Sequence, residues 1–209
     1  MQVVVLTDEP LKEELLAQGA SDALLLHWVN SPSEFIHYKQ ADAWIDLLFD
    51  FSPERIEVLK TIAGKPVFIN AVTGSLENLP QNFIRVNGWP GFLKRTLIEM
   101  AGPEIERSRA EQIFSCFNKK IGWVADVPGF VSARVISMII NEAYFTLAEG
   151  VSTKEETDTA MKLGTNYPYG PFEWAGKIGL TNILALLKEL SSKQQRYNPA
   201  ALLEKEANS

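Results

Sequence analysis

Gln2-Val3-Val4-Val5-Leu6-Thr7-Asp8-Glu9-Pro10-Leu11 decides the fold of the first half of this 209-residue chain. Its valine-rich start reads as a buried strand, since a strand covered on both faces carries a continuous apolar run. Directly after it, leucines at 11, 15 and 16 with charges between them follow the period of an amphipathic helix over Glu9–Gln18, stopped by Gly19. The alternation continues downstream. Strands are expected over Ala23–Val29, Ala43–Phe49 and Pro66–Asn70, with a short helix over Ser33–Gln40 capped by Ser33. Ser52-Pro53-Glu54 opens a further helix through Ile62, with serine as its cap and proline in the first turn. Strand–helix–strand repetition of this kind predicts a parallel sheet covered on both faces, an α/β Rossmann-like domain.

Such sheets bind ligands outside the carboxyl ends of their strands. A dinucleotide needs a glycine-rich turn after the first strand, where backbone amides meet the diphosphate at a helix N-terminus. Here that turn is Thr7-Asp8-Glu9-Pro10. It has no glycine, it carries two carboxylates, and Pro10 has no amide hydrogen to donate. The carboxylates read as caps on the positive end of the helix dipole. No cofactor-binding residue is assigned to the turn.

Composition bounds the rest. Hydrophobic residues at 46% and charged residues at 22% are the mix of a folded soluble domain, which excludes global disorder. The longest apolar stretches, Ala23–Leu26 and Val135–Ile140, fall short of the roughly 20 residues of a membrane span. The residues after Met1 do not read as a signal peptide. The single cysteine, Cys116, cannot form an internal disulfide, so a reducing, cytoplasmic setting is expected. A net charge of −6 speaks against nucleic acid or anionic membrane as a partner. Two histidines and one cysteine, far apart in sequence, leave no metal site. The basic pairs Lys94-Arg95 and Lys119-Lys120 read as solvated surface. His27 and His37 read as a strand residue and a surface residue.

From Asp126 onward the pattern turns helical. Val131–Glu149 reads as a long, largely buried helix ending at Gly150. Ser152-Thr153-Lys154-Glu155 reads as a capping box for a helix to Gly164, Pro171 as the start of a short helix, and Thr181 as the cap of Asn182–Leu190. The expected division is a Rossmann-like domain over residues 1–122 and an all-α domain over 123–209.

The helical half carries Asp126-Val127-Pro128-Gly129-Phe130-Val131, Asn141-Glu142-Ala143, Glu149-Gly150-Val151 and Asp158-Thr159-Ala160-Met161-Lys162-Leu163-Gly164. It continues with Tyr167-Pro168-Tyr169-Gly170-Pro171-Phe172-Glu173, Gly179-Leu180, and Arg196-Tyr197-Asn198-Pro199 with Leu202-Leu203. In combination these segments resemble the C-terminal helical domain of the 3-hydroxyacyl-CoA dehydrogenases. In the first half, Ala41–Asp46 with Phe49-Asp50, Asn70–Leu76 and Arg85-Val86-Asn87-Gly88 resemble the corresponding parts of that family.

The resemblance implies oxidation of the 3-hydroxyl of an acyl-CoA with NAD, in a cleft between the two domains. In the family a histidine polarised by a glutamate removes the hydroxyl proton, a serine and an asparagine hold the substrate oxygen, and the helical domain forms a dimer. A histidine suits that work because its ordinary pKa lies near neutrality. In this chain the histidine position reads as Pro90, within Trp89-Pro90-Gly91-Phe92, and the asparagine position as Ala133. Glu99 falls where the polarising glutamate belongs, and Thr73 or Ser75 could stand in for the serine. Trp89 is expected to fill the region where the hydroxyl is normally activated. The expectation is a catalytically degenerate relative that does not use NAD, with acyl-CoA as a ligand or with a docking role beside another fatty-acid enzyme. A homodimer through the helical domain is also implied, and apolar helix faces in a domain of about 85 residues agree with burial against a partner. The alternative is an active NAD-dependent dehydrogenase with an atypical site.

Overall fold

The computed structural model describes residues 1–62 and 64–209, which form two compact units, Met1–Phe130 and Val131–Ser209. The first unit opens with β1 (Gln2–Leu6), α1 (Glu9–Leu16), β2 (Leu25–Val29), a 3-10 turn (Pro32–Tyr38) and β3 (Ala43–Asp46). It continues with α2 (Pro53–Lys60), β4 (Val67–Ile69), β5 (Phe83–Val86), β6 (Leu97–Ala101), α3 (Glu104–Ser115) and β7 (Lys120–Trp123). The strands form one sheet in the order β2-β1-β3-β4-β5-β6-β7. The pairs from β2 through β5 are parallel, as expected. β5 and β6 pair antiparallel, and β6 and β7 are parallel to each other.

Alternation along the strands sorts the core into two layers. On one face Val3, Val5, Ile45, Phe68 and Ile84 pack against Leu11 and Leu15 of α1 and Ile113 and Phe114 of α3. On the other face Val4, Leu6, Trp44, Val67 and Ile69 pack with Phe35, Leu59 and Ile62.

Several local expectations change. Ser33–Gln40 is a 3-10 turn that begins at Pro32, and Ser33 sits inside it. Ser52 precedes α2 but makes no capping bond through its side chain. A domain boundary after residue 122 would cut β7, and the compact unit runs on to Phe130.

The second unit holds five α-helices among its described residues: α4 (Ser132–Ala148), α5 (Lys154–Thr165), α6 (Pro171–Ile178), α7 (Leu180–Ser191) and α8 (Ala201–Ala207). The capping box of α5 uses Thr153 and Glu156, one residue later than expected at each end, because Thr153 Oγ1 accepts from the Glu156 amide. Thr181 lies inside α7, which starts after Gly179. Within α4, buried Asn141 donates to Asn198 O and accepts from the Ala200 amide, which fixes the entry to α8. Buried Asp158 of α5 caps α6 by accepting from the amides of Phe172 and Glu173 at 2.8 and 3.1 Å. Glu173 reaches back to the Gly170 amide at 3.0 Å and pairs with Lys162 at 2.5 Å.

Gly170 lies so close to Asp158 that a Cβ would collide with its side chain and Cα. Gly170→Ala is therefore expected to lower the unfolding free energy by about 1–3 kcal/mol, the cost of overpacking a tight contact. Thermal unfolding followed by far-UV circular dichroism reads it, and an unchanged midpoint would contradict this account of the α5–α6 corner.

Candidate functional site

Strand order reverses between β1 and β3, which places the ligand crevice of an open parallel sheet outside the carboxyl ends of those two strands. Beyond β1, Asp8 is the N-cap of α1, and its Oδ1 accepts from the Leu11 amide at 2.9 Å. Glu9 pairs with Lys12, and Pro10 occupies the first turn. At the end of β3, Asp46 is fully buried and takes a two-pronged pair from Arg55, Nε to Oδ2 at 2.7 Å and Nη2 to Oδ1 at 2.6 Å. Burial pushes the Asp46 carboxyl up from the ordinary carboxylate range, against the pull of the Arg55 guanidinium.

Asn70, just past β4, joins three strand ends. Its Nδ2 donates to Leu47 O and Gly88 O at 3.0 and 3.3 Å, and its Oδ1 accepts from the Gly88 amide at 3.1 Å. A Cβ on Gly88 would lie 2.7 Å from Asn70 Cγ, so only glycine fits there.

The segment 71–76, which carries Thr73 and Ser75, is strapped from below by Arg85. This β5 side chain is fully buried. It donates to Ala71 O at 2.7 Å, to Val72 O and Val127 O, and to Asp126 Oδ1 at 2.5 Å. Asp126 also accepts from the Leu76 amide at 2.8 Å. Thr73 and Ser75 are half-buried on this loop, and Ser75 Oγ accepts weakly from the Glu77 amide.

Trp89 and Phe92 are buried, 5% and 4% exposed, and Pro90 between them is half-buried. Their loop is latched to α1 by Glu14, whose carboxylate accepts from the amides of Gly91 at 2.6 Å and Lys94 at 3.3 Å. Lys119 completes the latch. Sequence reading placed it on the solvated surface, yet it is only 3% exposed and donates to the carbonyls of Glu14, Leu93 and Arg95. Burial pushes its ammonium down to about 8, opposed by the Glu14 carboxylate.

Glu99 lies in β6, half-buried, and its Oε2 accepts from Asn87 Nδ2 at 3.1 Å. Asn87 thus holds the carboxylate, a pairing across 12 residues that sequence reading missed. Ala133 is fully buried in the first turn of α4. His27 stacks on Tyr38 with ring centres 4.7 Å apart, and His37 is exposed. Among the described residues no group of three or more His, Cys, Asp or Glu side chains could hold a metal ion, and no helix is long and apolar enough to cross a membrane.

Residues 129–209 match the family model for the C-terminal domain of 3-hydroxyacyl-CoA dehydrogenase. Over 91 residues the chain is 44% identical to 3-hydroxyadipyl-CoA dehydrogenase of Escherichia coli K12, covering 43% of this chain and 19% of that protein. Over 132 residues it is 32% identical to 3-hydroxybutyryl-CoA dehydrogenase of Bradyrhizobium diazoefficiens, covering 60% of this chain and 45% of that protein. The chain therefore spans less than half the length of these curated relatives. Among solved structures, (S)-3-hydroxybutyryl-CoA dehydrogenase of Ralstonia eutropha shares the fold, with a TM-score of 0.75 at 22% identity over 98% of this chain and 92% of that one.

The Lys119 latch has a pH signature. Its folded pKa of about 8 lies below the ordinary 10.5, so between those values the unfolded chain binds more protons and stability rises with pH. Lys119→Met removes that dependence. In urea unfolding the wild type is expected to gain on the variant between pH 8 and pH 10.5, and a gap that narrows instead would overturn the assignment.

Proposed function

Through its helical unit this chain belongs to the 3-hydroxyacyl-CoA dehydrogenase family, and we propose on that footing that it is a catalytically degenerate member of acyl-CoA metabolism. In this reading it binds acyl-CoA, or docks beside another enzyme, as a homodimer and transfers no hydride. The turn after β1 carries the proposal. A diphosphate at a helix N-terminus needs free amides and a positive local field. Here the Leu11 amide is taken by Asp8 Oδ1, Pro10 has none, and Asp8 and Glu9 add negative charge where the phosphates would lie. The residues present do not fit NAD.

The proton acceptor is the second support. Pro90 has no titratable group, and buried Trp89 stands beside it. Loss of a general base alone costs on the order of 10²–10⁴ in rate. Glu99, held by Asn87, favours the second reading, an active dehydrogenase with an atypical site, because it preserves half of the acid–base pair that the family resemblance implies.

Isothermal titration calorimetry distinguishes the two. NAD and NADH are expected to give no saturable heat, whereas acetoacetyl-CoA binds. Micromolar affinity for NAD, or formation of NADH from a 3-hydroxyacyl-CoA followed at 340 nm, would overturn the degenerate reading. Heat from neither ligand would leave the docking form of it.

The dimer rests on α4 and its approach. Val131, Val135 and Phe145 lie within one narrow sector of that helix and are 54%, 49% and 40% exposed. An apolar stripe of this kind on a family dimerisation domain fits a second copy of the chain. Sedimentation is expected to give a dimer at tens of micromolar that Val135→Glu converts to monomer, and a monomeric wild type would remove this part of the proposal.

A further inference from the structure

The opposite end of the sheet holds a cavity that neither the family resemblance nor the crevice at the carboxyl ends accounts for. It has a volume of about 580 Å³, within the range of small-molecule sites, and lies at the amino ends of β3 and β4. Its walls are the 3-10 turn with Phe35, Ile36, His37 and Lys39, the β3 residue Trp44, and Thr61, Ile62 and Lys65 around the exit of α2. Ile36, 43% exposed, is the open apolar face, and Phe35, Trp44 and Ile62 are core residues behind it.

The polar part has one sign. Among the described residues two lysines and a histidine line the cavity and no acidic residue does, in a chain whose net charge is −6. Lys65 Nζ donates to Ala41 O at 2.6 Å and Gln40 O at 3.3 Å, which leaves one of its three donors. It stands 5.9 Å from the centre of the Trp44 ring. Lys39 is exposed and forms no ion pair with a described residue. Trp44 Nε1 is buried and bonded to nothing among the described groups, and with no accessible surface it adds nothing to the polar lining.

We propose that this cavity binds a small apolar monocarboxylate, its hydrocarbon part against Ile36 and its carboxylate toward Lys39 and Lys65. The site is separate from the crevice at the β1–β3 switch point and does not depend on whether the chain binds acyl-CoA or NAD.

Octanoate serves as the probe, with octan-1-ol as its uncharged counterpart. In ¹H–¹⁵N spectra of the full chain, octanoate is expected to give saturable shifts at the Trp44 indole and at Thr61, Ile62 and Lys65, with the alcohol binding more weakly. Lys39→Glu, at an exposed position outside the core, reverses one charge of the rim and is expected to weaken octanoate about fivefold. Three results would overturn the proposal: no saturation below about 5 mM, equal binding of acid and alcohol, or an unchanged affinity in Lys39→Glu.

Discussion

A buried guanidinium organises the first unit. Arg85 is fully excluded from solvent, and a charge in that position is tolerated only when it is paired and its donors are satisfied. Its partners come from two distant segments, Ala71 and Val72 after β4, and Asp126 and Val127 after β7. Its planar group also lies over the Phe130 ring at 4.5 Å. Burial lowers the Arg85 pKa and Asp126 opposes that shift, so each charge depends on the other staying in place. One side chain thereby sets both the loop carrying Thr73 and Ser75 and the segment that closes the unit at Phe130.

The same device recurs around the crevice. Asp8 takes an amide of α1, Glu14 takes two amides of the Trp89 loop, and Asn70 takes the amide of Gly88. In a phosphate-binding cradle such amides are left pointing at the ligand. Here side chains of the protein itself occupy them. Each bond adds only about 1 kcal/mol to stability, but a ligand would first have to break it and then displace a negative charge in two of the three places. The crevice is shaped as part of the packing.

Much of this fold is legible in the sequence, and the gaps have physical causes. β1 is apolar from Val3 to Leu6 and β3 from Ala43 to Ile45, and both declare themselves. β6, Leu97-Ile98-Glu99-Met100-Ala101, places a carboxylate at its centre and leaves Leu97 58% exposed, so its pattern is not that of a buried strand. β7 contains Gly122 and begins with Lys120, which hides it equally well. β5, a run of only four residues with Arg85 inside it, is unread too, so the antiparallel pairing of β5 with β6 is not legible in the sequence. At the site, the proline at position 90 and the glycine-free Thr7–Pro10 turn are local features and can be read directly. Lys119 could not be read in this way. It and Lys120 look alike in sequence, yet one is buried on carbonyls contributed from 24 and 105 residues away and the other is exposed. Latches spanning such distances leave no trace in a window of ten or twenty residues.

The helical unit shows why a strong family match and a weak catalytic case coexist. Its most distinctive segment, Tyr167 through Glu173, is explained by packing alone. Gly170 gives way to Asp158, Asp158 caps α6, Pro171 fits the first helical position where no amide is needed, and Glu173 bonds Gly170 and Lys162. Asn141 likewise fixes the entry to α8. None of these groups needs a substrate to justify its identity. A chain can therefore keep every one of them for the stability of five packed helices, whatever its sheet unit carries at the strand ends. Identity in this unit testifies to shared architecture, and the chemistry has to be argued from the strand ends.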